Sequence, residues 1–449
     1  MIGVRRSDGR LASLTAITSR IRAAHMQELV WVVTGQAFAI AGAIAGIKIL
    51  TTLLPPEGYG ELALGVALAS GIAMLVFGPL NQIVYRYYST CAERGELPAF
   101  YAVLRRLHMR AGVALLVIAG TASVLLYWMA GARWAMIVGI ALLFALTSGL
   151  QGSGSSLQNA LRDRKSAALT QALDPWLRLT VAVFFCMAFA QSGVLALAAF
   201  VVGSSLVLFL QWRWLRARIT ASDRNMPATP NSALALQRQF VHYGLPFVGF
   251  GLFALMGQYL DRWILQTFAS LEAVGIYAAM MQIATAPVAA LVGVATQLIV
   301  PVVFAKAGAA GGAGGQSAPG LVYVTALLVA IMSALFALAA YLWGRELLVF
   351  FANERYAGQA AHLWIIVLAV AAFNCAQILV AHGLSLNQSS IYLMPKALQA
   401  LSLIVFGIWL APVLAIQGIS LALLAAAVLY LLSVCWVNSR LRAKPAETI

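Results

Sequence analysis

The sequence is poor in charged residues and in cysteine. Only 10% of its 449 residues are charged and 62% are hydrophobic, whereas soluble domains carry about 25% charged and about 45–50% apolar residues. A soluble core cannot absorb this excess, so most of the chain is expected to lie in lipid. The four cysteines show neither a CxxC spacing nor a metal-ligand pattern, and they predict no disulfide framework; they are Cys91, Cys186, Cys375 and Cys435.

Sequence signatures of common enzymes are also absent. The chain contains no GxxxxGK[ST] phosphate-binding loop, no HExxH and no GxSxG. The loops predicted to face outward are short, and the longest spans about residues 344–360. We therefore expect a protein that is not an enzyme, with no catalytic residue, no cofactor and no bound metal.

The formal net charge is +15, which on a soluble protein would indicate nucleic-acid binding. Here the cations lie between apolar segments, where Lys and Arg set topology and face anionic lipid. The sequence therefore predicts membrane lipids as partners and no nucleic acid.

Long apolar runs predict an all-α, polytopic membrane protein. The runs are continuous, not alternating, and are about 20 residues long, which favours helices over barrel strands. About 12 transmembrane helices are predicted, at residues 29–54, 61–83, 107–129, 133–155, 167–190, 193–212, 240–268, 274–304, 321–343, 361–383, 391–411 and 415–437.

The distribution of Lys and Arg predicts the orientation. With the N-terminus in the cytoplasm, 23 of the 29 Lys and Arg residues fall in cytoplasmic regions and four fall in outward loops. Cytoplasmic loops carry the excess of cations. We therefore expect both termini in the cytoplasm, with the multi-pass chain in a bacterial cytoplasmic (inner) membrane.

An internal repeat divides the chain into two halves. At a constant offset of 215 positions, six identities occur within a window of 26 residues. Each half has six segments, so both halves enter from the same side and should be parallel repeats with the substrate path between them. The repeated pairs are Glu57/Glu272, Gly60/Gly275, Ala63/Ala278, Ala69/Ala284, Gly78/Gly293 and Gln82/Gln297.

The repeat and the charged linkers predict five regions. They are a cytoplasmic N-terminal segment (1–28), an N-terminal six-helix lobe (29–212), a cytoplasmic linker (213–239), a C-terminal six-helix lobe (240–437) and a cytoplasmic tail (438–449).

Charged residues inside the predicted spans are candidate functional groups, because burying a charge in hydrocarbon costs about 2.5–3.5 kcal/mol on insertion scales. Lys48 lies late in the first segment, where it can line a cavity or snorkel to the surface. Asp261 and Arg262 lie at nearly the matching place in the seventh, but neighbours on a helix point about 100° apart and need not pair. Gln258, one turn earlier, can bond another helix or a sugar hydroxyl.

Asp174 and Arg178 lie four residues apart on one face of the fifth segment, in a favourable order for an ion pair. Pro175 allows a helix start at this point, with Asp174 as its cap. However, a helix that began there would be too short to span, which places both charges inside the bilayer. Arg86 and Lys396 lie near cytoplasmic ends, where anchoring at the lipid interface competes with a cavity role.

The sign of these charges indicates the substrate class. Five cations, namely Lys48, Arg86, Arg178, Arg262 and Lys396, stand against the two acids Asp174 and Asp261. An excess of positive charge suits an anionic substrate.

Two motifs resemble a known family. LLPPEGYGELAL at 53–64 resembles the loop between the first two helices of oligosaccharide flippases of the polysaccharide transporter family. HYGLPFVGF (242–250) followed by YLDRWILQTFASLEAVGIYAA (259–279) resembles their seventh and eighth helices. That family belongs to the multidrug, oligosaccharidyl-lipid and polysaccharide (MOP) exporter superfamily.

The resemblance implies two six-helix lobes that form a V around a central cavity. It also implies a flippase that moves a polyprenyl-diphosphate-linked oligosaccharide or exopolysaccharide precursor to the outer leaflet by alternating access. Its implied partners are the lipid-linked substrate and the polysaccharide polymerase and export machinery. Two alternatives stay open: an ion-coupled small-molecule exporter, with Asp174 as the nearest coupling candidate, and a membrane glycan polymerase or ligase.

Overall fold

A computed structural model describes residues 7–219, 230–309, 319–385, 388 and 390–441 of the chain. The regular structure of these residues is helical, with twelve α-helices and two short 3-10 segments, Glu354–His362 and Ser390–Tyr392. The α-helices are α1 (Ser7–Leu53), α2 (Pro56–Glu93), α3 (Leu97–Ala130), α4 (Ala132–Ala160), α5 (Arg164–Ala188), α6 (Gly193–Arg218), α7 (Pro230–Phe268), α8 (Leu271–Ala309), α9 (Pro319–Leu342), α10 (Gly344–Phe351), α11 (Leu363–Ser385) and α12 (Leu393–Arg440).

The described helices account for all twelve predicted segments. Within the described ranges, ten helical stretches are long and apolar enough to cross a membrane. α5 is not among them because its charged residues lower its hydropathy, yet it packs between α1 and α6. The last stretch holds two spans, because α12 breaks at Ala415 (φ 47°, ψ −119°). The predicted all-α membrane fold with two six-helix lobes is confirmed.

A break within α12 explains how this one helix contains two membrane spans. The dihedral angles of Ala415 match the first central residue of a type II′ turn, a position that favours glycine. Pro412 lies one turn earlier and removes a backbone donor from the ladder. The chain therefore reverses between the segments predicted at 391–411 and 415–437.

The helices extend beyond the apolar runs at the end predicted to be cytoplasmic. α1 begins at Ser7, whereas its apolar run begins at Leu29, and α7 begins at Pro230, whereas its run begins at 240. A helix can continue into water after its apolar part ends, so hydropathy marks the lipid boundary and not the helix end. Residues 1–6, the middle of the predicted linker (220–229) and most of the predicted tail (442–449) lie outside the described residues.

The two lobes repeat the same helix pairing. In the N-terminal lobe, α1 packs on α5, α2 on α4, and α3 on α4. In the C-terminal lobe, α7 packs on α12, α8 on α11, and α9 on α11. This repetition is what an internal duplication at the 215-residue offset predicts.

Between the lobes, α2 packs along α7 and α8. Near the starts of α2 and α8 the repeated glycines Gly60 and Gly275 meet: a Cβ on Gly60 would strike the carbonyl oxygen of Leu271, and one on Gly275 would strike that of Pro56. Since Leu271 is itself 215 positions after Pro56, the contact is symmetric. We call the end of the bundle at which α1 joins α2 and α7 joins α8, predicted to face outward, the outer end.

Candidate functional site

A central cavity of about 300 Å³ lies between the lobes. Four N-lobe helices (α1, α2, α5 and α6) and two C-lobe helices (α7 and α8) line it. Its walls are mostly apolar, and the Gly and Ala residues among them are small enough to let the helices approach closely. Its polar lining groups are Tyr59, Arg178, Tyr259, Arg262 and Gln282.

Arg262 is the cation that the C-terminal lobe contributes to the central cavity. Its side chain is 14% exposed, and one guanidinium nitrogen, Nη1, lies 3.5 Å from Asp261 Oδ1 and 3.4 Å from the carbonyl oxygen of Gln258. Asp261 is buried behind it and accepts a 2.6 Å hydrogen bond from the hydroxyl of Tyr277. A guanidinium has five N–H donors, so anchoring through Nη1 leaves the N–H groups of Nε and Nη2 for other acceptors.

Arg178 is the cation that the N-terminal lobe contributes, and it is held more tightly. Nη2 forms a 2.8 Å ion pair with Asp174, and Nε donates to the hydroxyl of Ser204 at 2.8 Å. The guanidinium also lies 4.9 Å from the ring centre of Phe144, within cation–π range. Groups on three helices, α4, α5 and α6, thus fix the orientation of this side chain.

Both acids lie behind the arginines, and neither lines the central cavity. The cavity lining contains Arg178 and Arg262 and no Asp or Glu. Because each guanidinium is partly neutralised by its carboxylate, the cavity presents positioned cationic donors and not a large net charge. Such an arrangement suits an anionic oxygen ligand.

Two polar side chains join the lobes beside the arginines. Gln282 of α8 donates a 2.9 Å hydrogen bond from Nε2 to the hydroxyl oxygen of Tyr59 in α2. The Tyr59 hydroxyl hydrogen therefore stays available to an acceptor in the cavity. Ala67 is the repeat partner of Gln282, and both line the cavity, as do the repeat partners Ala63 and Ala278.

A second cavity, of about 530 Å³, lies within the N-terminal lobe among α1, α4 and α5. Arg178 lines this cavity as well as the central one, so the two spaces adjoin at its side chain. Its polar lining groups are Ser148, Gln151, Ser155, Asn159, Arg164, Gln171, Asp174 and Arg178.

The outer end of the bundle is closed by contacts between the lobes. Lys48 Nζ donates to the carbonyl oxygen of Val349 at 2.8 Å, and the hydroxyl of Tyr356 donates to the carbonyl oxygen of Leu54 at 3.0 Å. Nearby, Arg345 donates a 2.5 Å hydrogen bond to Glu354, and this bond raises the pKa of Arg345. α10 and the following 3-10 segment are thereby held against the N-terminal lobe.

The structure separates the sequence-predicted site residues into groups. Arg178 and Arg262 come together on the central cavity, Asp174 and Asp261 lie behind them, and Gln258 contributes its backbone carbonyl to Arg262. Lys48 donates its hydrogen bond to Val349 at the outer end, and Arg86 is exposed near the C-terminal end of α2. The sequence left open whether Asp261 and Arg262 pair. In the structure their side chains lie 3.5 Å apart, because that of Arg262 runs back along α7 toward the carbonyl of Gln258.

Lys396 lies inside the C-terminal lobe instead of at the lipid interface. It is only 9% exposed, and its ammonium lies 4.4 Å from the ring centre of Phe373 and 4.5 Å from that of Tyr430. Its hydrogen bond goes to Gln399 at 3.2 Å. Aromatic faces solvate a cation where no carboxylate is at hand.

Sequence reasoning missed Tyr59, Tyr259, Gln282 and the polar groups of α4. The tyrosines and Gln282 carry no signal that separates cavity lining from packing. The signal for α4 was visible, since Gln151–Asn159 (QGSGSSLQN) interrupts an apolar span. Among the described residues, no group of three or more His, Cys, Asp or Glu side chains could hold a metal ion.

Comparisons with known proteins agree on the kind of molecule. The model of the family described as "Polysaccharide biosynthesis protein" matches residues 26–306, more than half of the chain. No curated protein sequence matches the chain.

Solved structures share the fold at low sequence identity. The inward-facing conformation of a multidrug resistance MATE family transporter of the MOP superfamily has a TM-score of 0.65, at 13% identity over 91% of this chain and 94% of that one. The lipid II flippase MurJ, in an inward closed conformation, has a TM-score of 0.68, at 10% identity over 93% of this chain and 88% of that one. The outward-facing conformation of a multidrug resistance MATE family transporter has a TM-score of 0.61, at 14% identity over 92% of this chain and 95% of that one.

Proposed function

We propose that the chain, which belongs to the polysaccharide biosynthesis protein family and shares the fold of MOP superfamily transporters, flips a lipid-linked glycan. The substrate is a polyprenyl-diphosphate-linked oligosaccharide or exopolysaccharide precursor. It moves from the cytoplasmic to the outer leaflet of a bacterial cytoplasmic membrane. One observation carries this proposal: each lobe contributes one arginine, Arg178 or Arg262, to the same cavity.

The cavity chemistry matches a diphosphate. Guanidinium groups bind phosphate oxygens through two parallel N–H donors, and the hydroxyl of Tyr59 adds a neutral donor. A volume of about 300 Å³ is at the lower end of the range for small-molecule sites, about 300–1,000 Å³. It suits the headgroup, while the polyprenyl chain stays in the surrounding lipid.

Placing the two cations on opposite lobes couples binding to movement. A substrate that contacts Arg178 and Arg262 together stabilises the lobe arrangement in which both reach it. The contacts at the outer end, Lys48 to Val349 and Tyr356 to Leu54, would break when the lobes rock open to the outside. Such rocking of two repeats about a shared site is alternating access.

The ion-coupled exporter of small molecules fits the site less well. Its coupling carboxylate would be Asp174, which the structure shows in a 2.8 Å ion pair with Arg178. The membrane polymerase or ligase would need converging acids or histidines, and no group of three or more occurs in the described part of the chain. A polymerase and export machinery acting on the flipped glycan remain proposed partners.

Binding of polyprenyl diphosphate to the purified protein tests the site directly. We expect Arg178→Gln and Arg262→Gln each to weaken binding about 10–100-fold, since a hydrogen bond to a charged group contributes about 1.5–3 kcal/mol. Arg355→Gln, at an exposed arginine of the outer end, is the matched control and should bind like the wild type. Equal affinity in all four proteins would overturn the proposal.

A further inference from the structure

The polar run in α4 is not explained by helix packing alone. Part of it does pack: Ser153 donates to Asn81 at 2.8 Å, and Gln158 accepts from Gln211 at 3.0 Å. Gln151, Ser155 and Asn159, at every fourth position, also line the N-lobe cavity. Each accepts one hydrogen bond, from Arg178, Gln211 and Arg164 respectively, and a carbonyl or hydroxyl oxygen has a second lone pair for a ligand. Polar groups that face a cavity inside a membrane protein mark a substrate path.

The N-lobe cavity is rich in hydrogen-bonding groups and suits a hydroxyl-rich ligand. Its two arginines are both engaged, Arg178 by Asp174 and Arg164 by Asn159. Its lining carries amide and hydroxyl groups on α4 and α5, which both donate and accept hydrogen bonds. Its one carboxylate, Asp174, is already paired with Arg178, so the cavity has no free carboxylate to attract a cation. A volume of about 530 Å³ falls within the range of small-molecule sites.

The position of this cavity connects it to the proposed diphosphate site. Arg178 lines both spaces, so a group covalently attached to a bound diphosphate can enter the N-lobe cavity beside it. In a lipid-linked glycan the group attached there is the first sugar. We propose that the N-lobe cavity is the subsite for the sugar residues nearest to the diphosphate, an inference that rests on the proposed function.

Gln171 and Gly152 offer two ways to test the subsite. Gln171→Leu removes an amide from the cavity lining, and Gly152→Leu adds a side chain where the nearest atom to a new Cβ is the amide nitrogen of Asn81, at 3.7 Å. Gln36→Leu is the matched control. It removes the same 2.9 Å hydrogen bond that Gln171 donates to Gln36, but Gln36 is not among the residues that line the cavity.

The experiment compares two probes, polyprenyl diphosphate and polyprenyl-diphosphate-linked hexose, on the full-length protein. We expect the wild type and Gln36→Leu to bind the hexose-bearing lipid about tenfold or more tightly than the bare lipid. Gln171→Leu and Gly152→Leu should abolish that preference and leave the affinity for the bare lipid unchanged.

The outcomes separate the two proposals. A sugar preference that persists in both cavity variants, or that is absent from the wild type, overturns the sugar subsite and leaves the diphosphate site standing. A loss of affinity for both lipids in the cavity variants also overturns it, since the change then acts on the diphosphate. Failure of the wild type to bind either lipid overturns the proposed function and the subsite together.

Discussion

Arg262 reaches the central cavity while Asp261, its neighbour in the chain, is buried at 1% exposure. The carboxylate accepts hydrogen bonds from the Tyr277 hydroxyl and the Arg262 backbone N–H. It also lies 3.5 Å from the guanidinium. A buried ion pair adds little net stability, but removing one partner leaves an uncompensated charge.

A double-mutant cycle tests this coupling. Asp261→Asn leaves Arg262 without its counter-charge and should lower the free energy of unfolding by about 3 kcal/mol or more. Adding Arg262→Gln should restore much of that loss, because the unpaired charge is removed. Equilibrium unfolding in detergent measures the four proteins, and strictly additive effects would contradict a coupled pair.

At the residue scale, the sequence could indicate ionisable residues but not their surroundings. Arg178 and Arg262 were singled out because charges inside spans need a reason, and the structure places both on the central cavity. Lys396 was predicted near a cytoplasmic end, where anchoring at the lipid interface competed with a cavity role. Its aromatic neighbours Phe373 and Tyr430 lie on other spans, and the local sequence around Lys396 cannot predict contacts between spans.

At the scale of helices, Gly60 and Gly275 fix how closely the lobes approach at the outer end. Each glycine lies against the backbone of the opposite lobe, and small residues are what allow such contact between membrane helices. The 215-residue repeat had identified this pair as equivalent. It could not show that the two glycines touch, because a repeat gives equivalence and not distance.

Gly60→Ala should weaken the outer closure. The added Cβ meets the Leu271 carbonyl, and a loss of about 1.4 kcal/mol would raise the open population about tenfold. A membrane-impermeant maleimide, added from outside to a variant with Ala278→Cys as its only cysteine, measures exposure of the central cavity.

Gly78→Ala is the control for this change, because a Cβ there meets no atom within 4 Å. It should leave the labelling unchanged, since only the outer contact sets the closure. Equal labelling of the Gly60→Ala and wild-type backgrounds would contradict this role for the glycine pair.

The helix positions were predictable where apolar runs stop at a short loop. The predicted outer ends of the first two segments, 54 and 61, compare with Leu53 and Pro56 in the structure. The cytoplasmic ends were less predictable, because helices such as α1 continue past the lipid. α5 was predicted as a span from its apolar run at 167–190, and it packs as one although its charges lower its mean hydropathy.

On the scale of the whole molecule, two equivalent lobes enclose one site that neither completes alone. Arg178 comes from one lobe and Arg262 from the other, and the outer end is held shut by contacts that cross between the lobes. Composition and the repeat predicted this architecture. The substrate had to come from the family and from the chemistry of the cavity.

Reconstituted transport tests the central claim most directly. Liposomes containing the purified protein and a fluorescent polyprenyl-diphosphate-linked hexose are treated with a glycosidase added outside, which reports the arrival of glycan in the outer leaflet. We predict arrival with the wild type and with Arg355→Gln, and little or none with the Arg178→Gln/Arg262→Gln double variant inserted at equal density. Arrival at the same rate with the double variant, or none above empty liposomes with the wild type, would contradict the account.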